Sequence, residues 1–511
     1  MMTDVESLHK KPPYGMIAIL FIGAFVAILN ETLLNVALPS IMNEFEVSPT
    51  AVQWLTNGYM LVNGILIPAS AFLIQRFTNK SLFLTAMSLF TIGTVLASIS
   101  PTFAVLLIAR LIQAAGSAVM MPLLMNVMLT AFPIEKRGTA MGTFGLVMVV
   151  APALGPTLSG WIVENYEWRT LFDIVIPIAL LSLIIGIFKL KNVTPQREIK
   201  LDVFSIVLSS FGFGGLLYGF SSAGEQGWSS PYVYGTIIIG VISVIALVLR
   251  QLKMEEPMLQ FRIFRYPMFA LSSAISIVLA MALFSGMILL PLYVQTVRGF
   301  TPFEAGLLML PGALVMGVMS PITGRLFDKF GARTLAILGL LITMTTTYFF
   351  TQLDMETTFG QMMLIFAIRS FGMSMVMMPV MTNGLNQLPM HENPHGTAMN
   401  NTLQQISGAI GSALLITIMN NRTESKAEEL AQSAMNSIDP SQMPSEQAMA
   451  TMEAEIMNQA MLQGINFSFF ISLLIMGIAL VLSLFIRRIG TDGKMITKKK
   501  LQTQNKTEYS S

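Results

Sequence analysis

RLIQAAGSAVMMP occupies residues 110–122, and RSFGMSMVMMP occupies residues 369–379. Each opens on an arginine set in apolar sequence and closes on VMMP. Each is followed by a second shared word, GTAM, at 138–141 and at 396–399. The offsets are 257 for VMMP and 258 for GTAM. Arginine, VMMP and GTAM in one order, twice, predict a chain built from two related halves. Such repeats are a property of many membrane carriers, with the substrate site near the midplane between them.

Composition agrees with a membrane setting. The 511 residues are 53% hydrophobic and 11% charged, against about 25% charged in an average soluble domain. Mean hydropathy is +0.66. The net charge of +2 is too small to suggest a nucleic-acid partner. There is no cysteine, so no disulfide, thiol chemistry or thiolate-bound metal is available. The first apolar run, after Lys10 and Lys11, is too long for a signal-peptide core and reads as a span that stays.

A membrane-spanning helix needs about 20 mostly apolar residues. Fourteen stretches qualify: 14–38, 51–75, 81–99, 102–130, 139–163, 170–189, 202–222, 232–251, 267–297, 303–325, 334–352, 359–388, 397–420 and 461–486. With the N-terminus inside, the cytoplasmic segments hold 24 of the 30 lysines and arginines, and the outer segments hold four. That asymmetry predicts cytoplasmic termini. The expected organisation is a six-helix half at 1–189 and linkers with two extra spans at 190–266. A second six-helix half follows at 267–490, with an acidic, partly helical outer loop at 421–460. A basic tail closes the chain at 491–511. An even insertion leaves both halves facing the same way, as parallel repeats require.

Two kinds of charge lie inside the spans. Arg110 and Arg369 open the repeated words. Glu31 is the only charged side chain from Tyr14 to Pro39, in AILNETLLNVALP. An ionisable group at membrane depth is expensive and marks function by default. Glu31 and Arg110 each lie eight residues from the outer end of their spans, about 12 Å at 1.5 Å per residue, so they are expected at similar depth. Asp173 lies four residues after Arg169, where a helical ion pair accounts for it.

Four stretches resemble the fourteen-helix drug:proton antiporters of the major facilitator superfamily. LNETLLNVALP, 29–39, is similar to their first-helix signature, with Asn30 in the usual Asp column and Glu31 after it. LIARLIQAAGSA, 107–118, resembles the fourth-helix RxxQGxG motif, with Ala114 for a Gly. GTFGLVMVVAPALGPTLSG, 142–160, resembles the fifth-helix antiporter motif through Gly142, Gly155, Pro156 and Gly160, with Ala151 for a Gly. GRLFDKFGAR, 324–333, resembles the loop motif GxLxDRxGRR. The matching first-half loop has Gln75 where an acid is expected. Trp54, Tyr59 and Pro68 add weaker support.

The resemblance implies an all-α polytopic membrane protein of major facilitator fold, with 14 spans arranged 6 + 2 + 6. It implies a proton-coupled antiporter that exports lipophilic, often cationic, drugs by alternating access, without cofactor or enzymatic chemistry, from a bacterial plasma membrane. Glu31 and Arg110 are the expected proton-coupling pair. Gly324, Arg325, Asp328, Gly331 and Arg333 are the expected cytoplasmic gate. Asn35, Trp54, Tyr59, Asn63, Met121, Phe144, Met148, Arg369, Met377, Asn400, Asn401 and Gln404 are candidates for the substrate pathway. Methionine recurs at adaptable binding surfaces. For Arg369 there are two readings, an anion receptor or a repeat relic of Arg110. The partners expected are the lipid bilayer and small lipophilic substrates, with no obligate protein partner. A proton-coupled importer or facilitator is the rival reading, and the fifth-helix motif argues against it. An enzyme is disfavoured, since no nucleophile–base pair or nucleotide loop appears. The histidines of HENPH, 391–395, are expected in a solvated turn, because Pro394 interrupts any helix holding both.

Overall fold

A computed structural model describes residues 13–193, 196, 202–437 and 446–489. The basic tail, part of the 190–200 linker and the middle of the outer loop lie outside them. The side chains of Asn35 and Pro156 are likewise outside the described set.

The fold is all-helical, with fourteen helical stretches long and apolar enough to cross a membrane. The helices are α1 Tyr14–Phe45, α2 Pro49–Arg76, α3 Asn79–Ser98, α4 Phe103–Ala131, α5 Arg137–Asn165 and α6 Thr170–Lys189. Then come α7 Val203–Gln226, α8 Pro231–Lys253, α9 Pro267–Leu292, α10 Pro302–Phe330 and α11 Ala332–Phe350. The last are α12 Phe359–Ser374, α13 Met377–Leu385, α14 Asn393–Ser437 and α15 Glu446–Ser483. Together α12 and α13 make one span.

Local sequence explains where these helices start. Ser48, Thr78, Thr102 and Asp202 each accept a hydrogen bond from the backbone N–H three residues on. Thr301 with Glu304, and Thr358 with Gln361, form reciprocal capping boxes. These caps satisfy donors that helix geometry leaves unpaired. Gly331, at φ 79°, supplies the left-handed turn between α10 and α11 that a side chain would oppose.

Three boundaries differ from the sequence reading. α1 runs through Pro39 to Phe45 rather than ending near residue 38. The second VMMP breaks its helix at Met375–Val376, because the Pro379 ring has no N–H and opposes the carbonyl one turn back. The first VMMP, with Pro122, stays inside the unbroken α4. The loop expected at 421–460 is helical over all its described residues, as extensions of α14 and α15. At 45 residues α14 is about 68 Å long, well over a bilayer's hydrocarbon thickness, so it projects far beyond it.

The packing repeats as the sequence does. In the first half α1 packs on α5 and α6, α2 on α4, and α3 on α4 and α6. In the second half α9 packs on α14 and α15, α10 on α12, and α11 on α12 and α15. The halves meet where α5 lies along α10 and where α2 and α4 meet α14. α7 covers the second of these seams, touching both α2 and α14, and α8 packs on α7. Ile238, Ile239, Ile242 and Ile245 of α8 are exposed. This is the composition a lipid-facing perimeter helix needs.

Candidate functional site

Arg110 is fully buried on α4. Its Nη1 donates to Asn30 Oδ1 at 2.5 Å and to Gln113 Oε1 at 2.9 Å, and reaches the Asn30 carbonyl at 3.5 Å. Its Nε reaches the Leu55 carbonyl at 3.5 Å, and the guanidinium lies 4.3 Å from the Tyr59 ring centroid. Gln113 donates in turn to Thr94 Oγ1 at 2.8 Å. One cation thus ties α1, α2, α3 and α4 together. Its Nη2 is buried without a hydrogen-bond partner among the described residues.

The residue that bonds Arg110 is Asn30, not Glu31. One helical step turns the side chain by about 100°, and only one of two neighbours can point at a given group. Glu31 stands next to the bonded pair, partly accessible, and near enough to feel the arginine's charge. The side chain nearest Arg110 is therefore an amide of fixed charge, and the group able to change charge sits one step away.

The second half holds a matching site with a different lining. Arg369 on α12 is buried, donates from Nη2 to the Ala282 carbonyl of α9 at 2.9 Å and from Nε to Thr347 Oγ1 of α11 at 3.3 Å. Arg110 uses the Asn30 carbonyl and, through Gln113, Thr94 of α3 in the same way. Ala282–Leu283 therefore stand where the first half has Asn30–Glu31.

The seam between α5 and α10 closes tightly. A Cβ at Gly142 would collide with the Ser320 carbonyl, and one at Gly324 with the Gly138 carbonyl. Gly155 lies as closely against Thr32 of α1, and Gly160 faces Phe303. At the lysine- and arginine-rich end, Asp328 accepts from Gly138 N and Thr139 N, both at 2.9 Å, and from Thr139 Oγ1 at 2.7 Å. These donors are the first turn of α5, where the helix dipole favours a carboxylate. Arg488 donates to the Asp328 and Lys329 carbonyls. Arg325 and Arg333, grouped with the gate by sequence, are exposed. Arg488 is the basic side chain that bonds the Asp328–Lys329 backbone.

The mirror corner joins the other seam. Gln75 Nε2 lies 3.0 Å from His395 Nε2, and the Gln260 backbone N–H donates to His395 Nδ1 at 3.3 Å. His395 is buried, which corrects the solvated turn expected from HENPH. At the Asp328 corner, Arg137, the residue before Gly138, donates from Nη1 to Asn386 Oδ1 at 3.2 Å, another bond between the halves. Sequence reading missed Gly138 and Thr139 as the acceptor's partners. The signal was present, since GTAM repeats at the starts of α5 and α14, where both corners form.

The remaining candidates separate by environment. Asn63 Oδ1, Asn400 Nδ2 and Asn401 Nδ2 are buried on α2 and α14 without a partner among the described residues. Gln404 is half-buried on the same helix as the last two. Each unpaired polar group costs on the order of a few kcal/mol in a nonpolar interior. Phe144 is buried, Met121 is half-buried, and Met148 and Met377 border a closed void of about 10 Å³ with Gly145, Met316, Ser320 and Met378. That is room for one water at most, so this void is too small for a substrate. Trp54 departs from the group: it is 41% exposed and stacks on Tyr218 of α7 at 5.8 Å.

Comparison with known proteins fits this architecture. The family model described as Major Facilitator Superfamily matches residues 20–412. An MFS-type transporter of Bacillus subtilis, YhcA, is 50% identical, over 98% of this chain and 97% of its own. The lincomycin resistance protein LmrB of Listeria monocytogenes is 43% identical, over 96% of this chain and 100% of its own. The solved structure of the proton:xylose symporter XylE superposes with a TM-score of 0.57 at 14% identity, covering 97% of this chain and 99% of that one. With its paired six-helix halves and a match over most of its length, this chain is an integral membrane transporter that belongs to the Major Facilitator Superfamily.

Proposed function

We propose that this chain is a proton-coupled antiporter that exports lipophilic compounds, antibiotics among them, across a bacterial plasma membrane by alternating access. The observation that carries the reading is the placement of Glu31. It is the one acid in the apolar stretch of α1, beside an Asn30–Arg110 bond that joins four helices. The lincomycin resistance protein, similar along nearly its whole length, supports an antibiotic as cargo.

The cycle follows from the geometry. With the basic end cytoplasmic, the Asp328 corner and the glycine contacts between α5 and α10 hold that side shut. Glu31 takes a proton from outside. Its charge next to Arg110 disappears, and the attraction between the two disappears with it. The balance between the two packings of the halves shifts, and the gate at the basic end opens. Release of the proton inward restores the charge and favours substrate capture from the cytoplasm or inner leaflet. Each elementary charge moved across the potential supplies about 2.3 kcal/mol per 100 mV, enough for roughly fiftyfold accumulation per charge at tenfold per 1.36 kcal/mol.

The test is transport in proteoliposomes with an imposed pH gradient and fluorescent lipophilic dyes. Wild type is expected to move dye only with the gradient, and Glu31→Gln to lose that coupling. Uphill dye movement by Glu31→Gln would place the proton site elsewhere.

A further inference from the structure

Among the described residues, the middle portions of the spans carry two arginines, Arg110 and Arg369, and one acid, Glu31. Arg110 has Asn30 as a bonded partner and Glu31 beside it. Arg369 has neither: Ala282 and Leu283 fill those places, and among the described residues no carboxylate lies within 4 Å of it. Acids elsewhere in the spans sit toward helix ends, as Asp173 does near the start of α6 and Asp328 near the end of α10. Gly286 packs its backbone against the Arg369 guanidinium, where a Cβ would collide with Nη1. The arginine is therefore built into a cradle, held by a threonine and a carbonyl. Among the described residues the guanidinium makes two hydrogen bonds, fewer than its five N–H donors allow.

We propose that Arg369 receives an anionic group of the exported substrate, so that the cargo is a lipophilic organic anion (a carboxylate, sulfonate or phenolate on an apolar body) and not a permanent cation. The argument rests on the antiporter reading above. In the substrate-capturing state Glu31 is ionised and cancels Arg110, leaving Arg369 as the uncompensated charge. A charge buried without a counterion is costly, and a bound anion removes that cost. A bound cation would add to it. The two halves divide the work: the first holds the exchangeable proton and the second holds the substrate's charge.

The test uses the full-length protein in proteoliposomes with a pH gradient and two probes, the anion 8-anilinonaphthalene-1-sulfonate and the cation tetraphenylphosphonium. Wild type is expected to drive the anion and not the cation. Arg369→Gln should slow anion transport at least tenfold, and Arg369→Lys should restore part of it. Leu283→Glu supplies the missing carboxylate. It should raise the melting temperature and still abolish anion transport, which separates loss of the site from loss of the fold. Gradient-driven movement of the cation alone overturns the proposal and leaves the export reading standing. Anion transport unchanged in both Arg369→Gln and Leu283→Glu also overturns it. If neither probe is coupled to the gradient, the antiporter reading itself fails.

Discussion

The two halves share a scaffold and differ in their charges. Each buries one arginine, bonds it to a carbonyl on its first helix and links it to a threonine on its third. In the first half that first helix offers Asn30 and Glu31; in the second it offers Ala282 and Leu283. The corners at the basic end differ in the same manner. One is a carboxylate on a helix N-terminus, Asp328 on α5. The other is a neutral contact, Gln75 with His395 at the start of α14. A repeat keeps its packing because every helix contact depends on it, whereas single side chains are free to diverge. On the antiporter reading proposed above, the chemistry of exchange lies in the differences between the halves.

The corners offer the clearest way to break the comparison. Asp328→Ala removes three hydrogen bonds between the halves. At about 1.5 to 3 kcal/mol for each bond to a charged group, the closed arrangement should lose roughly 5 kcal/mol. The chain has no native cysteine, so Ser320→Cys, buried in the seam, gives a clean reporter. Its labelling should accelerate at least tenfold when combined with Asp328→Ala. An unchanged rate would mean that the glycine contacts alone close the seam.

Gln75→Asp sharpens the comparison by making the corners alike. It places a carboxylate at the start of α14, where the dipole favours it by about 0.3–1 kcal/mol. Transport should slow two- to threefold and the melting temperature should rise by a few degrees. A lower melting temperature would mean that the buried neutral contact cannot accept charge.

The smallest expected effect lies at the far end. Glu44, beyond the apolar stretch of α1, accepts from Trp168 Nε1 at 2.6 Å and Arg169 Nη1 at 2.7 Å. Arg169 therefore pairs with Glu44 and not, as expected from sequence, with Asp173, which accepts from Ser98 Oγ. Partial burial raises the Glu44 carboxyl, but these bonds outweigh burial and hold it below the usual range. Its contribution is therefore complete above the unfolded value, about 4.3, and is lost as pH falls through the lower folded value. The pair is solvent-screened, so Glu44→Gln should cost under about 1 kcal/mol. Thermal melts of wild type and variant should converge in acid. A gap that persists at low pH would assign the effect to packing.

Much of this was legible in sequence. Apolar length marked fourteen spans, and the double occurrence of VMMP and GTAM marked two halves whose helix contacts repeat. What sequence left open was direction. Asn30 and Glu31 are adjacent, and helical geometry says only that they diverge by about 100°. Which one meets Arg110 depends on how α1 is rotated against α4. HENPH looked solvated because it is polar and local, whereas His395 is buried by Gln75, 320 residues away. Trp54 carries an amphipathic side chain that fits either an interior or a perimeter, and α7 decided it. The segment 421–460 reads as partly helical from sequence, and its described residues are helical throughout, because they continue α14 and α15, which pack on each other where Gly464 meets Met419 and Thr423.

The central claim is that Glu31 is the group whose protonation moves the halves. The direct measurement is the labelling rate of Ser320→Cys as a function of pH, without substrate, in the otherwise wild-type protein and with Glu31→Gln. The wild-type rate should follow a titration, and the Glu31→Gln rate should stay flat at the value wild type reaches in acid. The same titration persisting in Glu31→Gln would contradict the account, and Asp328 would become the group to examine.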